Sequence, residues 1–257
     1  MAVLASGCSG GDPPSAPDPS MRPGTDASST SAAPPAGAPP AASAAAFDMV
    51  GAGCSELLLM IQMTEAEARL VVPQGYVLLG AAGQAAGFIA LKECTDLSID
   101  GVSVGNASTS DVGVFIDKGE PGVFHYYQAW WTTDNPALWA RLHAQGWHGG
   151  LANDTLEALG ASVAVGESAA VVSAENATYS ITAQAAAGSA ANDSHAVGWF
   201  DTPDGTVKVD KLLRGSRLGS GSGTMTGDGE AGELFGSPSR GTALWMEYAM
   251  DGRVGQA

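Results

Sequence analysis

The residues best suited to chemistry or to ligand binding are concentrated in and around residues 108–147. This stretch holds four of the six tryptophans and two of the five tyrosines of the chain. Four ionisable side chains in or near it are candidate catalytic groups, namely Lys92, Glu93, Glu120 and His125. None of them has a recognisable activating neighbour in the sequence, as a nucleophile or a general base requires. The residue types therefore indicate a candidate site without identifying a reaction.

A run of bulky residues in the same stretch has the composition of a ligand-binding wall. Strand alternation places one set of side chains on a single face, namely Phe124, Tyr126, Gln128 and Trp130. If this face lines a cavity, its aromatic rings form the wall and Gln128 is the polar group that orients a ligand. Aromatic residues at strand spacing are also typical of a hydrophobic core, so both interpretations stay open at this point.

A β-hairpin and a helix must position these residues. Val112, Val114 and Ile116 alternate with other residues at the period of a strand, and the sequence Gly-Glu-Pro-Gly at 119–122 predicts a turn. The aromatic strand follows at once. Asp134 or Asn135 then caps a helix that has proline at its first position. We expect this helix to cover the strand face opposite to the aromatic wall.

The remainder of the folded chain predicts many short strands and few helices. Thr64 begins a capping box, and Asp100-Gly101 is a strong hairpin signal. Residues 214–233, which are rich in Gly, Ser and Thr, are expected to form a loop. Strand patterns occur at 55–63, 86–94, 162–165, 169–173, 178–183, 195–200, 206–210 and 242–250. The predicted fold class is mainly β with two or three short helices (α+β), built as an antiparallel, barrel-like curled sheet.

Composition and motifs exclude several classes of partner and cofactor. The chain has 257 residues and a formal net charge of −16, so nucleic acid and anionic membrane surfaces would repel it. The sequence contains no GxSxG nucleophile elbow at a predicted strand-to-helix turn, no GxxxxGK or HExxH motif and no EF-hand calcium loop, and no GxGxxG follows a predicted strand. We therefore expect no cofactor, no metal and no nucleic-acid partner, and a small molecule is the candidate ligand.

The N-terminal residues predict an exported protein that is anchored by lipid. Ala5-Ser6-Gly7-Cys8 resembles a bacterial lipobox, although no basic region or full apolar segment precedes it. We interpret residues 1–8 as the remnant of a lipoprotein signal whose true start lies upstream, with Cys8 as the lipidated residue. Residues 9–46 are rich in Pro, Ala and Ser and predict a disordered linker, followed by a single β-rich domain at 47–257. The expected location is the outer face of the cell membrane or the periplasm.

The two remaining cysteines are Cys54 and Cys94. They lie at the start of one predicted strand and at the end of the next. An exported protein is in a compartment that permits disulfides, so we predict a bridge between these two strands. Two buried thiols are the alternative.

Six short segments between residues 54 and 138 carry a resemblance to known proteins. They are Cys54-Ser-Glu-Leu, Val71-Val-Pro-Gln-Gly-Tyr76, Lys92-Glu-Cys-Thr-Asp, Ser110-Asp-Val-Gly-Val, His125-Tyr-Tyr and Thr133-Asp-Asn-Pro-Ala-Leu138. Together they resemble a family of exported bacterial proteins with the acetoacetate decarboxylase-like fold, over about residues 54–160. The resemblance implies a cone-shaped antiparallel barrel with an interior cavity.

The lysines of this chain depart from the pattern of those decarboxylases. The family holds a Schiff-base lysine whose pKa is depressed by a neighbouring lysine. The four lysines here are Lys92, Lys118, Lys208 and Lys211, and no two are adjacent in sequence. Lys208 and Lys211 are expected on opposite faces of one strand. We therefore expect the fold to carry over and the Schiff-base chemistry not to do so.

Three functions remain compatible with the sequence. The favoured one is a tethered domain, without catalysis, that binds a small apolar or aromatic molecule in the barrel cavity. The alternative is a decarboxylase-like enzyme, a lyase or hydrolase that acts on a small carbonyl or keto-acid compound. The third is a structural surface lipoprotein with a filled barrel.

Overall fold

Long strands dominate the part of the chain that the computed structural model describes, which is residues 45–147, 161–165, 172–176, 178–186 and 191–257. Its strands are β1 (Phe47–Thr64), β2 (Val77–Leu78), β3 (Gln84–Ile99), β4 (Val102–Asp117), β5 (Val123–Thr133), β6 (Ala161–Val165), β7 (Val172–Asn176), β8 (Tyr179–Ala186), β9 (Ala191–Thr202), β10 (Gly205–Gly227) and β11 (Ser239–Gln256). Its helices are α1 (Glu65–Ala68), α2 (Pro136–Ala144) and α3 (Gly229–Phe235).

The strands form one sheet that curls into a ring. Their order is β11-β1-β3-β4-β5-β9-β10-β8-β7-β6, with β2 beside β4, and β10 also pairs with β11. The second half of β10 pairs with β8, so that β8, β7 and β6 branch off and the ring is not a simple barrel. The predicted mainly β architecture with a curled sheet is confirmed.

One pair of neighbouring strands in the ring is parallel. β5 pairs with β9 from Val123 to Tyr127 in the parallel direction, whereas the other strand pairs are antiparallel. A parallel pair requires a long connection between its strands. Here the connection contains α2 and the strands β6 to β8, so the sheet is mixed and not purely antiparallel as predicted.

Short-range signals in the sequence predicted several local features correctly. Thr64 and Glu67 form the reciprocal hydrogen bonds of a capping box at the start of α1. Asp100 and Gly101 both have positive φ, as a tight hairpin turn requires. Asn135 caps α2 by accepting hydrogen bonds from two backbone N–H groups, and a proline follows it.

The predicted loop at residues 214–233 was wrong. Most of it is the second half of β10, which pairs with β11 on one side and β8 on the other, and residues 229–233 belong to α3. The small residues are needed because the strands approach closely: a Cβ on Gly221 would lie 1.7 Å from the carbonyl oxygen of Gln184. A strand of small residues shows no hydrophobic alternation, so the sequence pattern did not reveal it.

The sheet has an apolar core on each of its faces. On the outer face, residues of the branch formed by β6, β7 and β8 share one hydrophobic cluster with residues of β1, β3, β4 and β5. This outer core includes Leu57, Leu59, Ile89, Val112, Val114, Trp130 and Ile181. Inside one end of the ring, residues of the strands pack against α2, and this inner core includes Phe47, Met49, Trp131, Leu138, Leu142, Phe200 and Val209.

A disulfide joins β1 to β3. Cys54 and Cys94 are directly opposite each other in the ladder and are bonded. The predicted bridge is therefore confirmed.

The N-terminal predictions lie outside the described residues. Cys8 and nearly all of the predicted linker precede residue 45, where the described part of the chain begins. Lipidation, the tether and the location of the protein therefore stay predictions. Among the described residues no helix is long and apolar enough to cross a membrane.

Candidate ligand-binding cavity and its polar base

A β-bulge in β5 decides which aromatic residues face the inside of the ring. Val112 of β4 is opposite Trp130, but the next residue, Gly113, is opposite Gln128, so Ala129 is the extra residue. Tyr126 and Gln128 therefore lie on the inner face, whereas Trp130 lies in the outer core. Past the bulge, it is Trp131 that packs inside the ring.

The interior of the ring contains a cavity of about 250 Å³. Aromatic and aliphatic side chains form its walls, among them Leu58, Phe88, Phe115, Tyr126, Leu213 and Met246. Three exposed apolar side chains, Leu79, Phe124 and Leu218, also line it. Because Phe124 is 60% exposed, these residues form an open rim through which a small molecule can enter.

A layer of polar side chains forms the base of the cavity. Six strands of the ring contribute one inward-facing residue each, and we call this set the polar layer: Glu56, Lys92, Asp111, Gln128, Lys211 and Tyr248. Four of its members line the cavity directly, namely Glu56, Asp111, Lys211 and Tyr248. The polar layer lies between the cavity and the inner core.

Direct contacts connect the members of the polar layer. Asp111 accepts a hydrogen bond from Gln128 Nε2 at 3.1 Å through Oδ1, and Lys211 Nζ lies 3.4 Å from its Oδ2. The Tyr248 hydroxyl donates to Glu56 Oε2. Lys211 Nζ also lies 5.2 Å from the ring centre of Tyr126, within cation–π distance. These contacts compensate charges that would otherwise be costly to bury.

The two lysines of the polar layer have opposite acid–base properties. Burial lowers the pKa of Lys92 below its ordinary value, the charge of Lys211 lowers it further, and Asp111 and Glu56 oppose the shift. Burial also acts to lower the pKa of Lys211, but Tyr126, Asp111 and Glu56 outweigh it and raise this pKa above its ordinary value. Lys211 is therefore the charged lysine at the cavity, and Lys92 gives up its proton more readily.

Beneath the polar layer lies a second, much smaller cavity. Its volume is about 10 Å³, and Lys92, Thr109 and Trp131 are among its lining residues. The Thr109 hydroxyl and the Trp131 indole N–H are buried without a hydrogen-bond partner among the described residues. Leu138 of α2 also lines this space. The predicted position of α2 was wrong: the helix packs inside the ring against Trp131, on the face that also carries Tyr126, because the bulge at Ala129 turns Trp131 to this side.

The structure unites two of the four predicted ligand-binding residues at the cavity. Phe124 lines the rim and Tyr126 lines the wall. Gln128 faces inward but binds Asp111 in the polar layer, so it supports the base and does not form the wall. Trp130 was assigned to the wrong face, because the sequence analysis assumed an unbroken strand and the bulge at Ala129 reverses the alternation after it.

The predicted catalytic candidates do not form one group. Lys92 belongs to the polar layer, whereas its neighbour Glu93 points to the opposite face of β3 and does not line the cavity. Glu120 and His125 form a separate pair, with His125 Nε2 lying 3.4 Å from Glu120 Oε2. The indole N–H of Trp199 donates to His125 Nδ1 at 3.1 Å, so this pair is part of a network outside the cavity.

Four residues of the base were not predicted from the sequence: Glu56, Asp111, Lys211 and Tyr248. One signal was visible for Lys211, because Val207, Val209, Lys211 and Leu213 alternate and the lysine occupies an otherwise apolar face. Such an interruption indicates a buried charge that needs a partner. The partner, Asp111, lies on a distant strand and no local pattern identifies it.

Metal-binding residues do not cluster in the described ranges. No group of three or more His, Cys, Asp or Glu side chains there has the arrangement needed to hold a metal ion. The polar layer contains two carboxylates, and its cationic groups are lysines. The chemistry of the base is therefore that of hydrogen bonds and ammonium groups.

Solved structures of several enzymes share this fold. The enduracididine biosynthesis enzyme MppR complexed with pyruvate matches with a TM-score of 0.54 at 12% identity, over 82% of this chain and 90% of that chain. An acetoacetate decarboxylase-like enzyme from Sphingomonas wittichii RW1 gives a TM-score of 0.51 at 14% identity, over 83% and 92% of the two chains. Acetoacetate decarboxylase from Legionella pneumophila gives 0.51 at 10% identity, over 81% and 85%.

These likenesses show that the chain has the acetoacetate decarboxylase-like fold, as the resemblance in sequence implied. At such low identity they show the fold alone. No protein-family model matches the chain, and no curated protein sequence matches it.

Proposed function

We propose that this protein binds a small, mainly apolar molecule in the cavity of the ring and does not transform it. The observation that carries the proposal is the cavity of about 250 Å³ with apolar walls, an open rim and a charged base. Pockets for drug-sized ligands usually measure about 300–1,000 Å³, so the ligand is expected to be smaller than these. A hollow interior also argues against a purely structural protein with a filled ring.

The charge state of the base supports binding over catalysis. Lys211 is the lysine that lines the cavity, and its raised pKa keeps it protonated and therefore unable to act as a nucleophile. Asp111, which holds it, is buried in the same layer. A fixed ammonium group serves well to orient a ligand whose remaining surface contacts aromatic rings.

Filling the cavity tests this proposal. Ala196 lines the cavity, and an Ala196→Phe substitution places a ring inside it. The neutral fluorescent probe N-phenyl-1-naphthylamine should bind the unchanged protein and lose most of its affinity for Ala196→Phe. Val102→Phe, at a residue that is 66% exposed, is the matched control and should keep binding. Equal probe binding by all three proteins would show that the cavity is not the binding site.

The proposed setting of this function is the outer face of the membrane. The lipobox-like sequence around Cys8 and the proline-rich segment after it support a lipid tether, and the disulfide between Cys54 and Cys94 is compatible with an oxidising compartment. Expression from the upstream start should give a membrane-bound form with lipid on Cys8, measurable by mass spectrometry. An unmodified Cys8 in the membrane fraction would contradict the tether.

A second candidate function is carbonyl chemistry at the lysine pair. The observation that favours it is that the fold brings Lys92 and Lys211 from distant strands into one buried layer, where burial, together with the charge of Lys211, lowers the pKa of Lys92. A neutral amine can form a Schiff base with a keto acid. Lys92, however, does not line the main cavity, so the substrate would have to pass the polar layer to reach it.

Borohydride trapping distinguishes the two candidates. If Lys92 is a Schiff-base lysine, acetoacetate and borohydride should add a covalent mass to the unchanged protein and not to a Lys92→Arg variant. Lys118→Arg, at an exposed lysine, is the control and should still be labelled. The binding proposal predicts no mass increase in any of these proteins.

A further inference from the structure

The base of the cavity offers hydrogen-bond donors to a ligand. The Lys211 ammonium has three N–H donors, and the Asp111 carboxylate lies beside it at 3.4 Å. The Tyr248 hydroxyl already donates its hydrogen bond to Glu56 Oε2. Of the four charged or phenolic groups at the base, Lys211 therefore has donor capacity left for a bound molecule, and beside it the buried Tyr126 hydroxyl has no hydrogen-bond partner among the described residues.

The polar layer contains as many lysines as carboxylates. Lys92 and Lys211 both interact with Asp111 and Glu56 in it. Burial raises the pKa of Tyr126 to about 12, so this side chain remains neutral and adds no further charge. A charged ligand of either sign would therefore add a charge that no group of this layer is left to compensate. Such a charge is costly where water is excluded.

We propose that the ligand is an uncharged molecule that carries one acceptor oxygen of the carbonyl type, bound by an N–H of Lys211 while its apolar part fills the aromatic wall. This inference rests on the proposed binding function and adds the class of ligand. A carbonyl oxygen only accepts hydrogen bonds, so it brings no donor that would need a partner in the apolar cavity. Ketones, esters and amides all present such an oxygen.

The size of the cavity and its walls restrict the rest of the ligand. The walls include the rings of Phe88, Phe115 and Tyr126, and Phe124 lies at the rim. Aromatic rings pair favourably with one another at the edges and faces that these side chains present. A molecule with one aromatic ring and a short carbonyl-bearing group fits this combination of an aromatic wall and a charged donor, Lys211, at the base.

Four compounds with one ring each test the inference: acetophenone, ethylbenzene, benzoate and 1-phenylethylamine. They present a ketone, a hydrocarbon, a carboxylate and an ammonium group on similar frameworks. Their affinities are measured by displacement of N-phenyl-1-naphthylamine from the unchanged protein. A hydrogen bond from a charged donor contributes about 1.5–3 kcal/mol, so acetophenone should bind about 10- to 100-fold more tightly than ethylbenzene. Benzoate and 1-phenylethylamine should both bind more weakly than acetophenone.

Variants at Lys211 and Lys208 assign the effect to one side chain. In Lys211→Met, acetophenone and ethylbenzene should bind equally. Lys208 is on the same strand but does not line the cavity. The Lys208→Met variant should therefore keep the preference for acetophenone. If Lys211→Met fails to fold, the four affinities in the unchanged protein still decide the inference.

The outcomes separate this inference from the proposed function. If the probe binds but acetophenone gains nothing over ethylbenzene, or does not displace the probe, the cavity binds apolar molecules and the inferred class is wrong. Tightest binding of benzoate or of the amine would also overturn it. If Ala196→Phe and the unchanged protein fail to bind the probe at all, it is the proposed function that fails.

Discussion

Replacing Lys211 with methionine should destabilise the protein by about 3–5 kcal/mol. Lys211 Nζ lies 3.4 Å from Asp111 Oδ2, and the two side chains are only 9% and 5% exposed. At this separation and an effective dielectric constant of about 20, two unit charges attract by about 5 kcal/mol. Methionine keeps most of the side-chain volume but leaves the buried Asp111 carboxylate without this cation. The burial of a poorly compensated charge is therefore the main cost.

Lys208 provides a matched control on the same strand. Its Nζ lies 2.7 Å from Asp210 Oδ2, closer than in the buried pair, but the side chains are 37% and 35% exposed. Because water screens this pair, Lys208→Met should cost less than about 1 kcal/mol. The comparison separates the effect of burial from that of distance. A double variant, Asp111→Leu with Lys211→Met, removes both buried charges and should cost about 2–3 kcal/mol less than the sum of the single changes.

Urea denaturation followed by circular dichroism and tryptophan fluorescence measures these free energies of unfolding. A cost for Lys211→Met that matches that of Lys208→Met would refute the reasoning, because it would mean that water reaches the polar layer and screens the pair. Additive single and double variants would contradict it equally, since they would show no coupling between the two charges.

Three further predictions concern the fold. Replacing both Cys54 and Cys94 with valine should lower the free energy of unfolding by about 4 kcal/mol in the chain-entropy model, because the disulfide joins residues 40 apart; equal stability in urea would contradict this. Burial lowers the pKa of His125 below its ordinary value of 6.5, and protonation at Nδ1 would break its hydrogen bond with Trp199. On acidification the unfolded state therefore takes up the proton first, so the free energy of unfolding should fall as the pH drops through about 6.5. In urea titrations between pH 8 and pH 5, His125→Gln should lose less stability than the unchanged protein. Equal losses in the two proteins would refute this. Trp131→Ala removes a side chain that is 1% exposed and should cost about 3–5 kcal/mol, whereas a change below about 1 kcal/mol in the same assay would show that the indole is not packed in the inner core.

Short-range signals made part of the fold predictable. Thr64 with Glu67, Asp100 with Gly101, and Asn135 each depend on residues within a few positions of one another, so their sequence spacing contains the information. The disulfide was predictable because the chain offers only two cysteines in the folded domain. Each of these features is confirmed.

The face of an aromatic residue was less predictable than the strand that carries it. The limits of β5 follow from its composition, but the bulge at Ala129 arises from the way β5 pairs with β4. No residue type near Ala129 marks an extra position in the strand. One unmarked residue was therefore enough to move Trp130 to the outer core and to bring Trp131 inside.

The polar layer could not be assembled from the sequence. Its six residues come from six strands, and Lys211 reaches Asp111 because the pairing of β10 with β11 curls the sheet into a ring. Lys92 and Lys211 are far apart in the chain, and neither has a charged partner at a local spacing that would identify their contact. The chemistry of the base depends on closure of the sheet, which sequence patterns at short range do not encode.

The parallel pairing of β5 with β9 gives the ring a seam. This ladder spans only the five residues from Val123 to Tyr127, which is shorter than any other ladder between neighbouring strands of the ring. Phe124 and Tyr126 on one side of the seam and Ala196 on the other all line the cavity. Separating β5 from β9 breaks the fewest backbone hydrogen bonds, so amide hydrogen exchange in the ring should be fastest there. A ligand that contacts residues of both strands would hold β5 and β9 together. It should therefore slow amide exchange more in this ladder than elsewhere in the ring.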